Sequence, residues 1–328
     1  MPTTLRLIDH TLVRRLLPMA RCVELMREAF VQVSERRALQ PIRQVLRTPD
    51  GAGLLGWMPG FTDGPPRFGV KLITVFPGAV AKGAKSHQGF VMLFDGSDGR
   101  PLCVIDAGEV TAIRTAASTA VASGALARAD ARTLSLFGCG EQAHTHLQAM
   151  LGAHDYEEVR IWARDSAKAE RFVEREQPLY KVPLRVETDP ERAAGADVIC
   201  TLTGSADPIF KGAWLKPGQH LNAVGASIAL FAEIDNEAVT RSRYFTDDRA
   251  SALVQAGELK RAREAGLVGE DHIKGEIGEV LTGKVEGRRS DEDITLFKSL
   301  GMATEDLLAC GWILDEAQRQ GLGATIDW

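Results

Sequence analysis

The chain has 328 residues, 45% of them hydrophobic and 25% charged, with a formal net charge of −5. That composition supplies apolar material for one large or two smaller globular domains. The net negative charge excludes general nucleic-acid binding, which needs an excess of Lys and Arg to neutralise phosphates, and no apolar run is long enough to span a bilayer.

The five cysteines (Cys22, Cys103, Cys139, Cys200 and Cys310) are scattered, odd in number and lack a CxxC pair. Neither a disulfide framework nor a metal site is expected. Charges at Arg6 and Asp9 interrupt the first dozen residues, and no signal-peptide core is seen there, so the expected location is the cytoplasm.

Residues 19–37 carry Cys22, Met26, Ala29, Phe30 and Val33 at helical spacing and predict the first helix. Short β-type runs follow at 44–46, 69–76, 90–94 and 102–106, separated by turns such as Thr48-Pro49-Asp50-Gly51 and Asp95-Gly96-Ser97-Asp98-Gly99. Strands joined by tight turns predict an antiparallel or mixed sheet in the first third of the chain. Residues 111–129 then form an Ala-rich helical run.

From Arg132 the pattern becomes strand (133–137), glycine turn, helix (142–151), strand (159–162) and helix (166–176), with further strands at 198–202 and 220–224. Such alternation predicts a parallel sheet with helices on both faces. Residues 296–321 predict a final helix ending at a glycine. The fold class is α/β: a Rossmann-type doubly wound parallel sheet preceded by an α+β domain.

Within this pattern, Gly138-Cys139-Gly140-Glu141-Gln142-Ala143 matches GxGxxA between a strand and a helix. Gly138 permits the tight turn, Gly140 lets the backbone approach a pyrophosphate, and Ala143 keeps helix and strand close; Glu141 and Gln142 open the helix whose amides face the phosphates. A GxGxxA string alone is weak, but the βαβ context is the one the motif requires. The cofactor is therefore NAD or NADP. At the end of the second strand Ala163 stands where an acid would hold a ribose 2′-hydroxyl. Arg164 suits a 2′-phosphate and Asp165 suits the bare ribose, which leaves the choice open.

Three cations mark the first third: Arg43 in Gln40-Pro-Ile-Arg43, Lys71 inside the apolar run 68–75, and Arg114 in Thr111-Ala-Ile-Arg114-Thr-Ala-Ala. Taken singly, each reads as an ordinary surface charge. A lysine within an apolar strand is costly to bury alone, so Lys71 either faces solvent or meets an anionic ligand. Together, beside a dinucleotide domain, the three predict a carboxylate pocket.

These segments, with Ser86-His87-Gln88, His220-Leu-Asn-Ala-Val-Gly-Ala226 and Leu296-Phe-Lys-Ser-Leu-Gly-Met302, resemble the ornithine cyclodeaminase/mu-crystallin family over nearly the whole chain. The resemblance implies a homodimer built through the N-terminal domain. It divides the chain into residues 1–117 for substrate binding and dimerisation, 118–303 for NAD(P), and 304–328 as a C-terminal helix returning to the first domain. It also implies that Arg43, Lys71 and Arg114 hold the substrate, with Ser86 beside them and Lys71, Arg114 and His87 as the catalytic candidates. The expected cofactor set is Thr115, Gly138, Gly140, Glu141, Gln142, Arg164, Asp165, Thr201, Thr203, Val224, Gly225, Ser227 and Ser299.

One departure selects within the family. Cyclodeaminases carry an aspartate shortly after the Asn-Ala-Val-Gly strand, and here Ser227 takes that place, offering no charge to an ammonium group. The expected activity is reduction of a small 2-imino acid to the L-amino acid. Its substrate is either a cyclic ketimine such as pyrroline- or piperideine-2-carboxylate, or an acyclic imine such as iminosuccinate. For the latter, Lys82, Lys85 and His87 offer additional positive charge, with a solvated basic loop as the alternative reading. Ornithine cyclodeamination and non-catalytic binding of a small ligand are the alternatives.

Overall fold

The computed structural model describes residues 4–76, 78–79, 83 and 87–328. The chain divides into two compact units, 1–114 with 302–328, and 115–301. Among the described residues no helix is long and apolar enough to cross a membrane.

The first unit opens with β1 (Thr4–Ile8) and α1 (His10–Leu16), the latter capped by the Asp9 carboxylate on the Leu12 amide. Helix α2 (Met19–Ser34) buries Cys22, Leu25, Met26, Ala29 and Phe30, the helically spaced stripe read from the sequence. Five strands follow: β2 (Gln44–Arg47), β3 (Leu54–Thr62), β4 (Arg67–Val75), β5 (His87–Asp95) and β6 (Pro101–Asp106). Helix α3 (Ala107–Leu126) begins in this unit and continues into the second.

The second unit alternates β7 (Thr133–Phe137), α4 (Glu141–Ala153), β8 (Glu158–Trp162), α5 (Ser166–Glu176), β9 (Leu184–Val186), α6 (Pro190–Ala193), β10 (Val198–Thr201) and β11 (His220–Ala223). It continues through α7 (Asn236–Arg241), β12 (Arg243–Thr246), α8 (Arg249–Gln255), α9 (Gly257–Glu264), β13 (Ile273–Glu276), α10 (Ile277–Leu281) and β14 (Thr295–Lys298). Its eight strands run parallel in the order β13-β12-β14-β11-β10-β7-β8-β9. The winding reverses between β7 and β10, the place where open α/β sheets bind ligands. Phe137, Ile199, Phe210, Leu221, Tyr244 and Leu296 anchor the core beneath it.

The chain returns to the first unit as α11 (Ala303–Gln320) and β15 (Ala324–Asp327). This corrects the helix expected over 296–321: its first part is β14, and the helix begins only at Ala303. A four-residue apolar run carries no periodicity that separates a buried strand from a helical turn, and here β11 and β12 claim it as their neighbour.

The first unit's sheet is mixed, in the order β15-β1-β6-β5-β4-β3-β2, with only β1 and β6 parallel. One row of paired residues, Met58, Lys71, Val91 and Ile105, is buried. Helix α11 packs against α2 and against β3, β4 and β5.

Candidate active site

Alternation along β4 turns Lys71 onto the buried face of the sheet. It is 3% exposed, and its Nζ donates to both oxygens of Asp306, at 3.1 and 3.0 Å. The expected choice between solvent and an anionic ligand is thus corrected: the chain supplies its own counter-ion. Arg114, on α3, donates from Nε to Asp306 at 3.0 Å and from Nη1 to Glu305 Oε2 at 2.7 Å. Both acids lie in the first turn of α11 and are fully buried, where the helix N-terminus favours negative charge.

Arg43 is half-buried just ahead of β2, close enough for its charge to act on Lys71. The Gln40 side chain fixes that segment by accepting from the Thr304 amide and hydroxyl at 3.2 and 2.9 Å. Burial pulls the Lys71 ammonium down to about 8, with Asp306 holding it up and Arg114 and Arg43 adding to the fall. Burial pushes the neighbouring thiols of Cys22 and Cys310 up, so neither serves as a nucleophile.

In the second unit, register aligns the C-terminal ends of five strands, Trp162, Phe137, Thr201, Ala223 and Lys298. The residues that follow are stitched in the same order: the amides of Gly138, Leu202, Val224 and Ser299 donate to Trp162, Phe137, Thr201 and Ala223. Gly138, Arg164, Thr201, Thr203, Val224, Gly225 and Ser299 therefore lie at or just beyond one edge of the sheet, with Gly140 and Ser227 in the segments that follow. Thr115 lies buried in α3.

The glycine turn fits a pyrophosphate. Gly138 has φ +124°, and a Cβ there would press on Leu202 O at 3.0 Å, so the turn itself demands glycine. Gly140 differs. Its backbone is extended, and a Cβ would meet nothing within 4 Å, so neither conformation nor packing in the chain explains it. No side chain caps α4, and the buried Oε1 of Gln142 makes no hydrogen bond. The open space and uncapped amides suit an anion at a helix N-terminus.

At the adenosine end, Asp165 is occupied as the N-cap of α5, accepting from the Lys168 amide. Arg164 is exposed beside it. Lys168, Arg171 and Arg175 recur at helical spacing along α5, and their charges act on Cys139 in the glycine turn.

Ser86, Lys82 and Lys85 lie outside the described residues; His87 opens β5, and its side chain is not among those described. Sequence reasoning missed four carboxylates: Glu305 and Asp306, and two in the second unit. Glu233 accepts from Thr203 N and Oγ1 at 2.5 and 2.7 Å, Thr201 Oγ1 at 2.8 Å and Gly225 N at 2.6 Å, tying together the loops after β10 and β11. Asp247 accepts from the amides of Leu300 and Gly301 at 2.5 and 2.6 Å, fixing the turn after Ser299. For Glu233 the available signal was an acid flanked by apolar residues, in Phe231-Ala232-Glu233-Ile234.

The model of the Ornithine cyclodeaminase/mu-crystallin family matches residues 6–321. The chain belongs to this family. Within it, the ketimine reductase mu-crystallin of Mus musculus is 38% identical over 277 residues, 84% of this chain and 85% of the mouse protein. The Δ1-pyrroline-2-carboxylate reductase of Bacillus cereus strain ATCC 14579 is 33% identical over 317 residues, 96% of this chain and 97% of that protein. The solved structure of Thermococcus litoralis Δ1-pyrroline-2-carboxylate reductase in complex with NADH and L-proline superposes with a TM-score of 0.95 at 27% identity, covering 98% of this chain and 100% of that one.

Proposed function

We propose that this member of the family is an NAD(P)H-dependent imine reductase that converts a small 2-imino acid to the L-amino acid. The observation that carries this reading is the buried cluster of Lys71 and Arg114, with Arg43 beside it, in a chain that also holds a dinucleotide turn. The reductases among its relatives, acting by name on ketimines and on pyrroline-2-carboxylate, support the same class of substrate.

Arg43 binds the substrate carboxylate, for which its guanidinium offers a planar fork, and Arg114, held through Nε and Nη1 by Asp306 and Glu305, adds positive charge beside it. Lys71, at about 8, is poised to give a proton to the imine nitrogen and to regain one from solvent. Gly138, Gly140 and the first amides of α4 hold the dinucleotide, Glu233 and Asp247 fix the neighbouring loops, and Thr115, Thr201, Thr203, Val224, Gly225, Ser227 and Ser299 complete that set. When bound, the reduced cofactor supplies the hydride for the imine carbon. One hydride to carbon and one proton to nitrogen convert C=N to CH–NH. Ser227, half-buried beyond β11, offers no carboxylate to an ornithine amine, which sets the cyclodeaminase alternative aside.

We further propose that the protein is a cytoplasmic homodimer. Opposite the buried row of the first sheet lie Trp57, Leu72 and Phe90 in one paired row and Phe61, Phe68 and Phe94 in another, with Phe68 and Phe90 exposed. An apolar sheet face of this kind suits a second copy of the chain.

Mixing the protein with NADH or NADPH and a panel of imino acids, cyclic and acyclic, tests the function. Consumption of reduced cofactor with formation of the matching L-amino acid is expected. A panel without turnover contradicts it.

A further inference from the structure

We infer that Asp306 is a positioning residue of the reaction: its carboxylate, bonded to both Lys71 and Arg114, sets the placement of the two cations that face the substrate. The inference rests on the reductase reading for what those cations do, and on geometry for how they are held.

Four charged side chains meet where none is more than 4% exposed. Asp306 receives Lys71 Nζ on both oxygens and Arg114 Nε on one, while Glu305 takes Arg114 Nη1. A guanidinium gripped by two carboxylates has its plane fixed. An ammonium shared between two oxygens of one carboxylate is fixed in direction as well.

Stability alone is a poor reason for such a cluster. Buried ion pairs replaced by well-packed apolar residues are often neutral or stabilising, because desolvation offsets the attraction. Orientation is a better reason, since a reacting group must be held close to its productive geometry by partners outside the reaction.

Asp306 also bears on protonation. The groups facing Lys71 are Asp306 and Cys310 on α11, Arg114 on α3 and Arg43 ahead of β2; Glu305 on α11 and Cys22 on α2 line the same cluster. Of these, Asp306 contributes the largest influence that keeps the ammonium charged. Without it, burial and the two guanidinium groups press the Lys71 ammonium further down.

The test compares the full-length parent with Asp306→Asn and Asp306→Glu. Three quantities are read: kcat/KM against pH for the best imino acid of the panel, dinucleotide affinity by fluorescence titration, and calorimetric binding of pyrrole-2-carboxylate, a planar monocarboxylate. Asp306→Asn is expected to move the alkaline limb of kcat/KM to lower pH by about one unit or more. Asp306→Glu keeps the charge but displaces both cations by a methylene, so the limb stays in place while KM rises about tenfold. In both variants pyrrole-2-carboxylate binding weakens by about tenfold and dinucleotide affinity is unchanged.

An unmoved limb in Asp306→Asn, whatever the loss of rate, assigns Asp306 a merely structural role and overturns the inference. If Asp306→Asn does not fold, parental KM and analogue binding in Asp306→Glu overturn it equally. A parent that binds the analogue but reduces no imino acid overturns the reductase reading alone, and analogue binding in the variants then decides the positioning.

Discussion

Lys71 and Asp306 form a buried ion pair across 235 residues of sequence, with Nζ at 3.1 and 3.0 Å from the two carboxylate oxygens. The pair links the middle of β4 to the first turn of α11, and Arg114 shares its acid. Its ammonium, at about 8, stands within reach of ordinary assay conditions.

The first prediction is a pH dependence. Below about 8 Lys71 carries its proton, and above it the proton is lost. As the acid in reduction, it supports full kcat/KM below that pH and about a tenfold fall per unit above it. The reverse oxidation needs the neutral amine, so its kcat/KM rises through the same range. Rate profiles in both directions check the sign.

Lys71→Met should keep dinucleotide affinity while lowering the melting temperature, because methionine fills a similar volume but Asp306 loses one of its two cations. Turnover should fall by about a hundredfold or more, the scale of a lost general acid. Steady-state rates beside a cofactor titration check it.

Gly140→Val should melt near the parent temperature, since the backbone is extended and a Cβ meets nothing within 4 Å. Its affinity for NADH and NADPH should fall by about tenfold or more, because the branched side chain occupies the approach of the pyrophosphate. Fluorescence titration checks the loss.

Arg164→Ala should raise KM for NADPH by about tenfold and change KM for NADH by less than about twofold. Asp165 is engaged in its cap, while Arg164 is exposed and followed by the cations of α5. Parallel kinetics with the two cofactors check the split.

Much of the fold was readable because its signals are local. Residues 133–137, the glycine turn and 142–151 announce strand, turn and helix in sequence, and the structure places β7 and α4 there. Strand β3, with Gly56, Pro59 and Gly60, lacks such a pattern and takes its conformation from pairing with β2 and β4. Strand β15 is exposed and owes its existence to the neighbouring β1. Lys71 stood out as a charge in an apolar strand. Asp306 did not, since Thr304-Glu305-Asp306 ahead of an apolar helix reads as ordinary first-turn acids complementing a helix dipole. Only tertiary packing reveals that these acids face inward.

In the proposed reduction a hydride reaches the carbon of a 2-imino acid. The most direct test of this transfer supplies reduced cofactor deuterated at the transferable C4 position, together with the preferred imino acid, and reads the product by mass spectrometry. One deuterium at Cα of the L-amino acid is expected, with no ammonia released. Unlabelled product, or proline and ammonia formed from ornithine with catalytic NAD, would contradict it.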